Sequence, residues 1–232
     1  MNDTIRACLD HVRKPARYTG GEYNAVCKDK AEVDLRFAFC FPDLYEIGMS
    51  HLGSKILYGL MNGMEGVWCE RAYAPYVDME EEMRRRGQPL YALESGDPVS
   101  EFDILGFTLQ YEMNYTGVLN MLDLAGIPKR SADRHELRPL VMAGGPCVYN
   151  AEPMADFFDL IVVGEGEEVM PELLQLYRRA KKEGMDKPAF LRAAAQLGGV
   201  YVPSLYEITY GETGAVTAIR PLGGAPAVVK KR

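Results

Sequence analysis

Four short stretches hold the residue types best able to do chemistry. Asp43, Tyr45 and Gly48 lie in Asp43-Leu44-Tyr45-Glu46-Ile47-Gly48, with the spacing D-x-Y-x-x-G. Thr108 and Gln110 end Gly106-Phe107-Thr108-Leu109-Gln110, Gly144 and Gly145 precede Pro146, and Glu165 and Glu167 alternate with glycine in Gly164-Glu165-Gly166-Glu167. Carboxylates, hydroxyls and amides fix polar groups of a ligand, while glycines let a large planar ligand approach the backbone. Tyr45 is a poor anionic ligand for a metal, because a phenol stays protonated until about pH 10. Each stretch also has an ordinary reading. Pro42-Asp43 is a turn signal, strand-end glycines serve packing, and glutamates at a helix start complement the positive end of its dipole. No nucleophile–base pair stands out, so no catalytic residue is assigned.

The elements that must position these stretches follow from hydrophobic patterning. Five apolar, strand-like runs, Leu35–Phe41, Val67–Arg71, Asp103–Leu109, Leu140–Ala143 and Leu160–Val163, alternate with helical patterns near Ser50–Met61, Val77–Arg86, Tyr115–Ala125 and Glu168–Lys182. Continuous apolar strands separated by helices imply a parallel sheet covered on both faces. The expected fold is therefore α/β: a flavodoxin-like (Rossmann-like), doubly wound, five-stranded parallel sheet in the order 2-1-3-4-5. Residues 1–30 read as an N-terminal arm and 31–185 as the α/β domain. Residues 186–232 read as a helix, a β-hairpin across Gly211-Glu212-Thr213-Gly214 and a linker. In such sheets ligands bind at the carboxyl ends of the strands, and all four stretches fall there.

Composition narrows the function classes. The chain has 232 residues, 47% hydrophobic and 25% charged, enough for a full core. A net charge of −7 argues against a broad nucleic-acid surface, and Arg84-Arg85-Arg86 and Lys230-Lys231-Arg232 read as solvated charges. No run approaches the roughly 20 apolar residues of a membrane span, and the N-terminus lacks a secretion signal, so a cytoplasmic location is expected. Cys8, Cys27, Cys40, Cys69 and Cys147 are too widely spaced for a disulfide framework, a zinc ribbon or a self-contained iron–sulfur motif. No metal site is assigned.

Several ligand classes of this architecture are excluded residue by residue. A receiver domain needs an aspartate after the third strand and a lysine after the fifth, where Thr108-Leu109 and Gly164-Glu165 stand. The nearest match to G-x-G-x-x-G is Gly164-Glu165-Gly166-Glu167-Glu168-Val169, which follows the last strand, lacks the third glycine and carries glutamates that would repel a pyrophosphate.

The order of Asp43, Tyr45 and Gly48, then Thr108, then Gly144 and Gly145 resembles that of cobalamin-binding domains, whose first loop is D-x-H-x-x-G. The stretches Phe41–Gly53, Gly106–Glu112, Ala143–Pro146 and Val163–Glu167 are closer to the uncharacterised radical SAM proteins with an N-terminal cobalamin-binding-like domain. The likeness extends to Lys14–Tyr18 and Cys69–Pro75. It implies cobalamin as cofactor, with Asp43, Tyr45 and Gly48 shaping the lower face of the corrin. Thr108, Gln110, Gly144 and Gly145 would line the slot for the nucleotide tail, and Glu165 and Glu167 would close the rim. It also implies a radical SAM barrel in cis beyond this chain. The 4Fe-4S cluster and S-adenosylmethionine would belong there, held through a C-x-x-x-C-x-x-C motif that residues 1–232 lack. With tyrosine at the histidine position, a protein lower ligand to cobalt is not expected, and His51 reads as a helix cap or packing residue.

Two function classes follow. In one, the chain is the cofactor module of a radical SAM enzyme, its reaction and substrate open, and inactive alone. In the other, it keeps the fold without the cofactor and serves as a docking scaffold for the barrel or another partner, its slot filled by Phe107, Tyr111 and Tyr149.

Overall fold

The computed structural model describes residues 2–232. A short helix, α1 (Asp3–Leu9), opens the chain, capped by the Asn2 side chain on the Ile5 amide. The sheet begins with β1 (Leu35–Phe41), then α2 (Tyr45–Ser50), α3 (Leu52–Asn62), β2 (Val67–Tyr73) and α4 (Val77–Arg86). Next come β3 (Ile104–Thr108), α5 (Asn114–Leu124), β4 (Leu140–Gly144), β5 (Leu160–Val162), α6 (Gly166–Glu183), α7 (Lys187–Ala194) and β6 (Val200–Tyr201). The sheet order is β2-β1-β3-β4-β5-β6, with β1 to β5 parallel and β6 antiparallel to β5. The flavodoxin-like order is thus as expected, with a sixth strand added at the edge. Two residues pairing through Ile161–Tyr201 and Val162–Val200 are too short to carry a periodic signal.

Side-chain alternation along each strand divides the core into two layers. Phe37, Phe39, Ile104, Met142 and Val162 face α3, α6 and α7. Ala38, Cys40, Leu105, Phe107, Val141 and Ala143 face α1, α4 and α5. Full burial of a large apolar side chain stabilises by roughly 1.5–3 kcal/mol, so these two layers dominate the fold's stability. Helix lengths follow local signals: α4 and α6 both end at glycines with left-handed backbone, Gly87 and Gly184. Tyr206–Tyr210 and Val216–Pro221 form a separate two-stranded antiparallel hairpin, β7 and β8. Among the described residues no helix is long and apolar enough to cross a membrane.

The outer edge of β2 has no neighbouring strand, yet its outward polar groups are bonded. Lys28 Nζ donates to the Val67 carbonyl at 2.5 Å, and the Asn62 amide bonds both Cys69 N and Cys69 O at 3.0 Å. Glu94 accepts from Arg71 N at 2.7 Å, and the Arg71 carbonyl accepts from Leu93 N at 2.8 Å. Residues from the arm, α3 and the loop after α4 thus replace a seventh strand.

At the opposite, amino end of the sheet, Asp159 is fully buried. It accepts from Val141 N at 2.7 Å and pairs with Arg134 at 3.0 Å and Lys187 at 2.8 Å, joining β4, β5 and α7.

Candidate functional site

The slot arises from side-chain size along one face of the sheet. Toward the carboxyl ends, the residues facing α3 and α6 shrink from Ile104 to Gly106 and Thr108, and from Leu140 and Met142 to Gly144. Register sets these side by side, with Gly106 opposite Met142 and Thr108 opposite Gly144. The Phe37 ring fills the space over Gly106, where a Cβ would lie 2.1 Å from its Cζ, whereas the space at Gly144 stays open. A cavity of about 190 Å³ remains, lined from the sheet by Phe37, Phe39, Met142 and Val162 and from the helices by Leu57, Met61 and Met170. That volume is below the roughly 300–1,000 Å³ of sites enclosing a drug-sized ligand. It fits a bicyclic ring, not a macrocycle.

The mouth is polar. Gln110 Nε2 donates to Thr108 Oγ at 2.6 Å, leaving the threonine hydroxyl proton for another acceptor. His51 Nδ1 accepts from the Ser54 amide at 3.1 Å and lies 2.8 Å from Ser54 Oγ, capping α3. Its ring packs on Phe41 with centroids 5.5 Å apart. An accepting Nδ1 puts the proton of the neutral ring on Nε2, and His51 lines the cavity. Cap and packing were the expected roles for His51; the lining role went unread, along with Ser54, Leu57, Met61 and Met170. Nothing in a helical pattern says which turn of α3 or α6 will overhang a strand end.

Four of the nine residues read from the sequence, Thr108, Gln110, Gly144 and Gly145, meet at this cavity. Gly145 has φ +97°, and a Cβ there would lie 2.7 Å from the Leu109 carbonyl oxygen, so only glycine fits. Gly144 differs: a Cβ there would meet nothing nearer than the Val162 carbonyl at 3.8 Å. Its missing side chain leaves space that belongs to the cavity.

The other five stand outside the cavity. Asp43 accepts from Leu44 N at 2.7 Å and from the Tyr111 hydroxyl, which ties the loop after β1 to the loop after β3. Gly48 lets α2 lie on the Tyr73 ring, since a Cβ would fall 2.2 Å from Tyr73 Cε1. Tyr45 stacks edge-on against Tyr73, 5.5 Å between centroids, and donates its hydroxyl to Glu22 at 2.8 Å. Burial, then the Glu22 carboxylate, pushes the Tyr45 phenol up to about 12. Glu22 in turn holds Arg71 at 2.7 Å, and Glu94 holds it at 2.6 Å. Glu165 and Glu167 are exposed at the start of α6. There the Glu165 amide donates to the Arg232 carbonyl at 2.7 Å.

Phe107, Tyr111 and Tyr149 do not fill the cavity. Phe107 packs on Phe158 in the opposite layer, centroids 6.1 Å apart, and Tyr111 and Tyr149 are exposed. Exposed apolar side chains stand at Ile47 on α2, at Leu52 at the start of α3, and at Met113 and Tyr149 in the segments after β3 and β4. The described residues contain no cluster of three or more His, Cys, Asp or Glu side chains arranged to hold a metal ion.

Over 88 residues the chain is 34% identical to an uncharacterized protein of Methanocaldococcus jannaschii, a match covering 37% of this chain and 18% of that protein. The chain thus aligns with less than a fifth of that relative's length. Residues 53–203 match the family described as radical SAM proteins, N-terminal, and include β2 to β5, α3 to α7 and most of the cavity's lining. With more than half of its residues in that match, the chain belongs to the N-terminal family of radical SAM proteins.

Proposed function

We propose that this chain is the cobalamin-holding module of a radical SAM protein, with the corrin across the carboxyl edge of the sheet and the nucleotide tail in the slot. The observation that carries this reading is the open space at Gly144, on the sheet face opposite α3 and α6, which none of the protein's own aromatic side chains occupies. A cavity of about 190 Å³ suits a tail, and the corrin would lie on the loops outside it. Thr108, Gln110 and His51 supply hydrogen-bonding groups at the mouth, and Gly145 keeps the loop after β4 tight against Leu109. Bound cobalamin supplies a cobalt centre able to accept a methyl group and hand it on. This chain's residues bind and orient it. Tyr45 is committed to Glu22 and His51 Nδ1 to the cap of α3, so this chain would hold the group without using Tyr45 or His51 Nδ1 as a ligand to its metal.

The cluster and S-adenosylmethionine belong to a radical SAM domain in cis, which the exposed side chains of Ile47, Leu52, Met113 and Tyr149 are suited to meet. Titration of the purified chain with hydroxocobalamin, read by visible spectrum and calorimetry, tests the reading. Stoichiometric binding with a base-off spectrum is expected. No binding at high micromolar cobalamin would overturn it and leave a cofactor-free docking scaffold as the better account.

A further inference from the structure

The inner part of the slot differs in chemistry from its mouth. The polar residues Thr108, Gln110, His51 and Ser54 all sit at the carboxyl ends of strands or at the start of α3. Deeper positions along the same elements carry Leu57 and Met61 on α3, Met142 on β4 and Met170 on α6. Met61, Met142 and Met170 are at most 4% exposed, and these four side chains offer only hydrocarbon and thioether sulfur to a ligand. The strand backbone behind them is engaged in the parallel ladder.

A group entering this slot therefore finds strong hydrogen-bonding partners at its outer end only, the methionine sulfurs being weak acceptors. From this we infer that the slot selects the tail base of the corrinoid: it takes a benzimidazole whose far edge is hydrocarbon and rejects a purine whose far edge carries an amino group. The inference rests on the cobalamin reading above and refines it. Dimethylbenzimidazole presents two methyl groups to the methionines and one acceptor nitrogen to the donors at the mouth. Those donors are the Thr108 hydroxyl and His51 Nε2, neither of which has an acceptor among the described residues. Adenine would bring its exocyclic amino group and extra ring nitrogens against Met61, Met142 and Met170. A buried donor or acceptor left unpaired weakens binding by roughly ten- to a hundredfold. Methionine's flexible side chain adapts to methyl groups more readily than a β-branched wall would.

The test compares three corrinoids by calorimetry on the purified chain: cobalamin, the same corrinoid with adenine as tail base, and cobinamide, which has no base. Cobalamin is expected to bind roughly ten- to a hundredfold tighter than the adenine form, with cobinamide weaker than cobalamin. Met142→Gln places an amide at the floor and should narrow the preference. Equal affinity for cobalamin and cobinamide would put the tail outside the slot and overturn the inference together with that placement of the tail, while cobalamin binding itself would stand. An adenine form that binds as well as cobalamin would overturn it too. Binding by none of the three would overturn the cofactor reading itself.

Discussion

Tyr45 donates its hydroxyl to Glu22 at 2.8 Å, so this side chain is spent on joining the segment after β1 to the N-terminal arm. Tyr45→Phe removes that bond and leaves a half-buried carboxylate one donor short. The expected loss is about 1–2 kcal/mol of stability, read as a lower urea midpoint. The visible spectrum of added hydroxocobalamin should stay as in the parent protein; a change of cobalt ligation on this substitution would contradict the geometry.

Gly144→Val separates the cavity from the fold. The new Cβ meets nothing closer than 3.8 Å, and a β-branched residue suits a strand end, so stability should stay within about 1 kcal/mol. The added methyls enter the slot. Cobalamin affinity should fall more than about tenfold, equivalent to 1.4 kcal/mol. Unchanged affinity in a well-folded variant would place the ligand elsewhere.

Asp159→Ala would leave Arg134 and Lys187 buried with no carboxylate between them, and Val141 N without its acceptor. Removing one partner of such a buried group costs about 3–5 kcal/mol. The unfolding midpoint should drop sharply with no direct effect at the slot, which lies at the other end of the strands. A loss under 1 kcal/mol would show that this junction is dispensable.

Acid sensitivity follows from paired carboxyls, two of them partly buried. Burial pushes Glu22 up, but hydrogen bonds from its own backbone, Tyr45 and Arg71 outweigh it, and Glu22 ends below the usual range. Asp97 is likewise lowered, as Lys30 and Arg36 outweigh burial. A depressed folded-state value contributes stability above the unfolded value of about 4, and that contribution is lost as pH falls through the folded value. Glu70 acts oppositely: burial raises it, so its contribution is present at low pH and lost as pH rises through its folded value. Glu46, Glu82 and Asp123 are lowered as well, by hydrogen bonds from Arg17, Arg85 and Lys129, so the urea midpoint should fall as pH drops below about 4. Glu22→Gln should shallow that fall, and a midpoint flat from neutral to acid pH would refute the assignment.

Much of this was readable from residue order. Leu35–Phe41 is apolar but for Arg36 and is β1 to the residue, and the helical pattern near Val77–Arg86 is α4. Thr108 and Gly144 were visible because a small residue after a buried strand is unusual enough to notice. What stayed hidden depends on distant partners. Leu57, Met61 and Met170 look like any amphipathic face until α3 and α6 settle over Gly144. Tyr45 reads as a loop residue until Glu22, 23 positions earlier, turns its hydroxyl inward. Ile5 and Cys8 mark the apolar side of a short helix in the arm, but its partner is not legible: both are fully buried beneath α4 because the arm folds back.

The bonded edge of β2 bears on how this protein behaves in concentrated solution. An open strand edge invites another copy to add its own strand, and repeated addition grows into fibrils. Here Lys28, Asn62 and Glu94 occupy the hydrogen-bonding positions that an incoming strand would need. A chain shortened to begin at residue 30 would lose Lys28 and Glu22 together and lay part of that edge bare. Such a chain would also lose Ile5 and Cys8 from the core beneath α4 and be more prone to precipitate, so the arm guards solubility as much as shape.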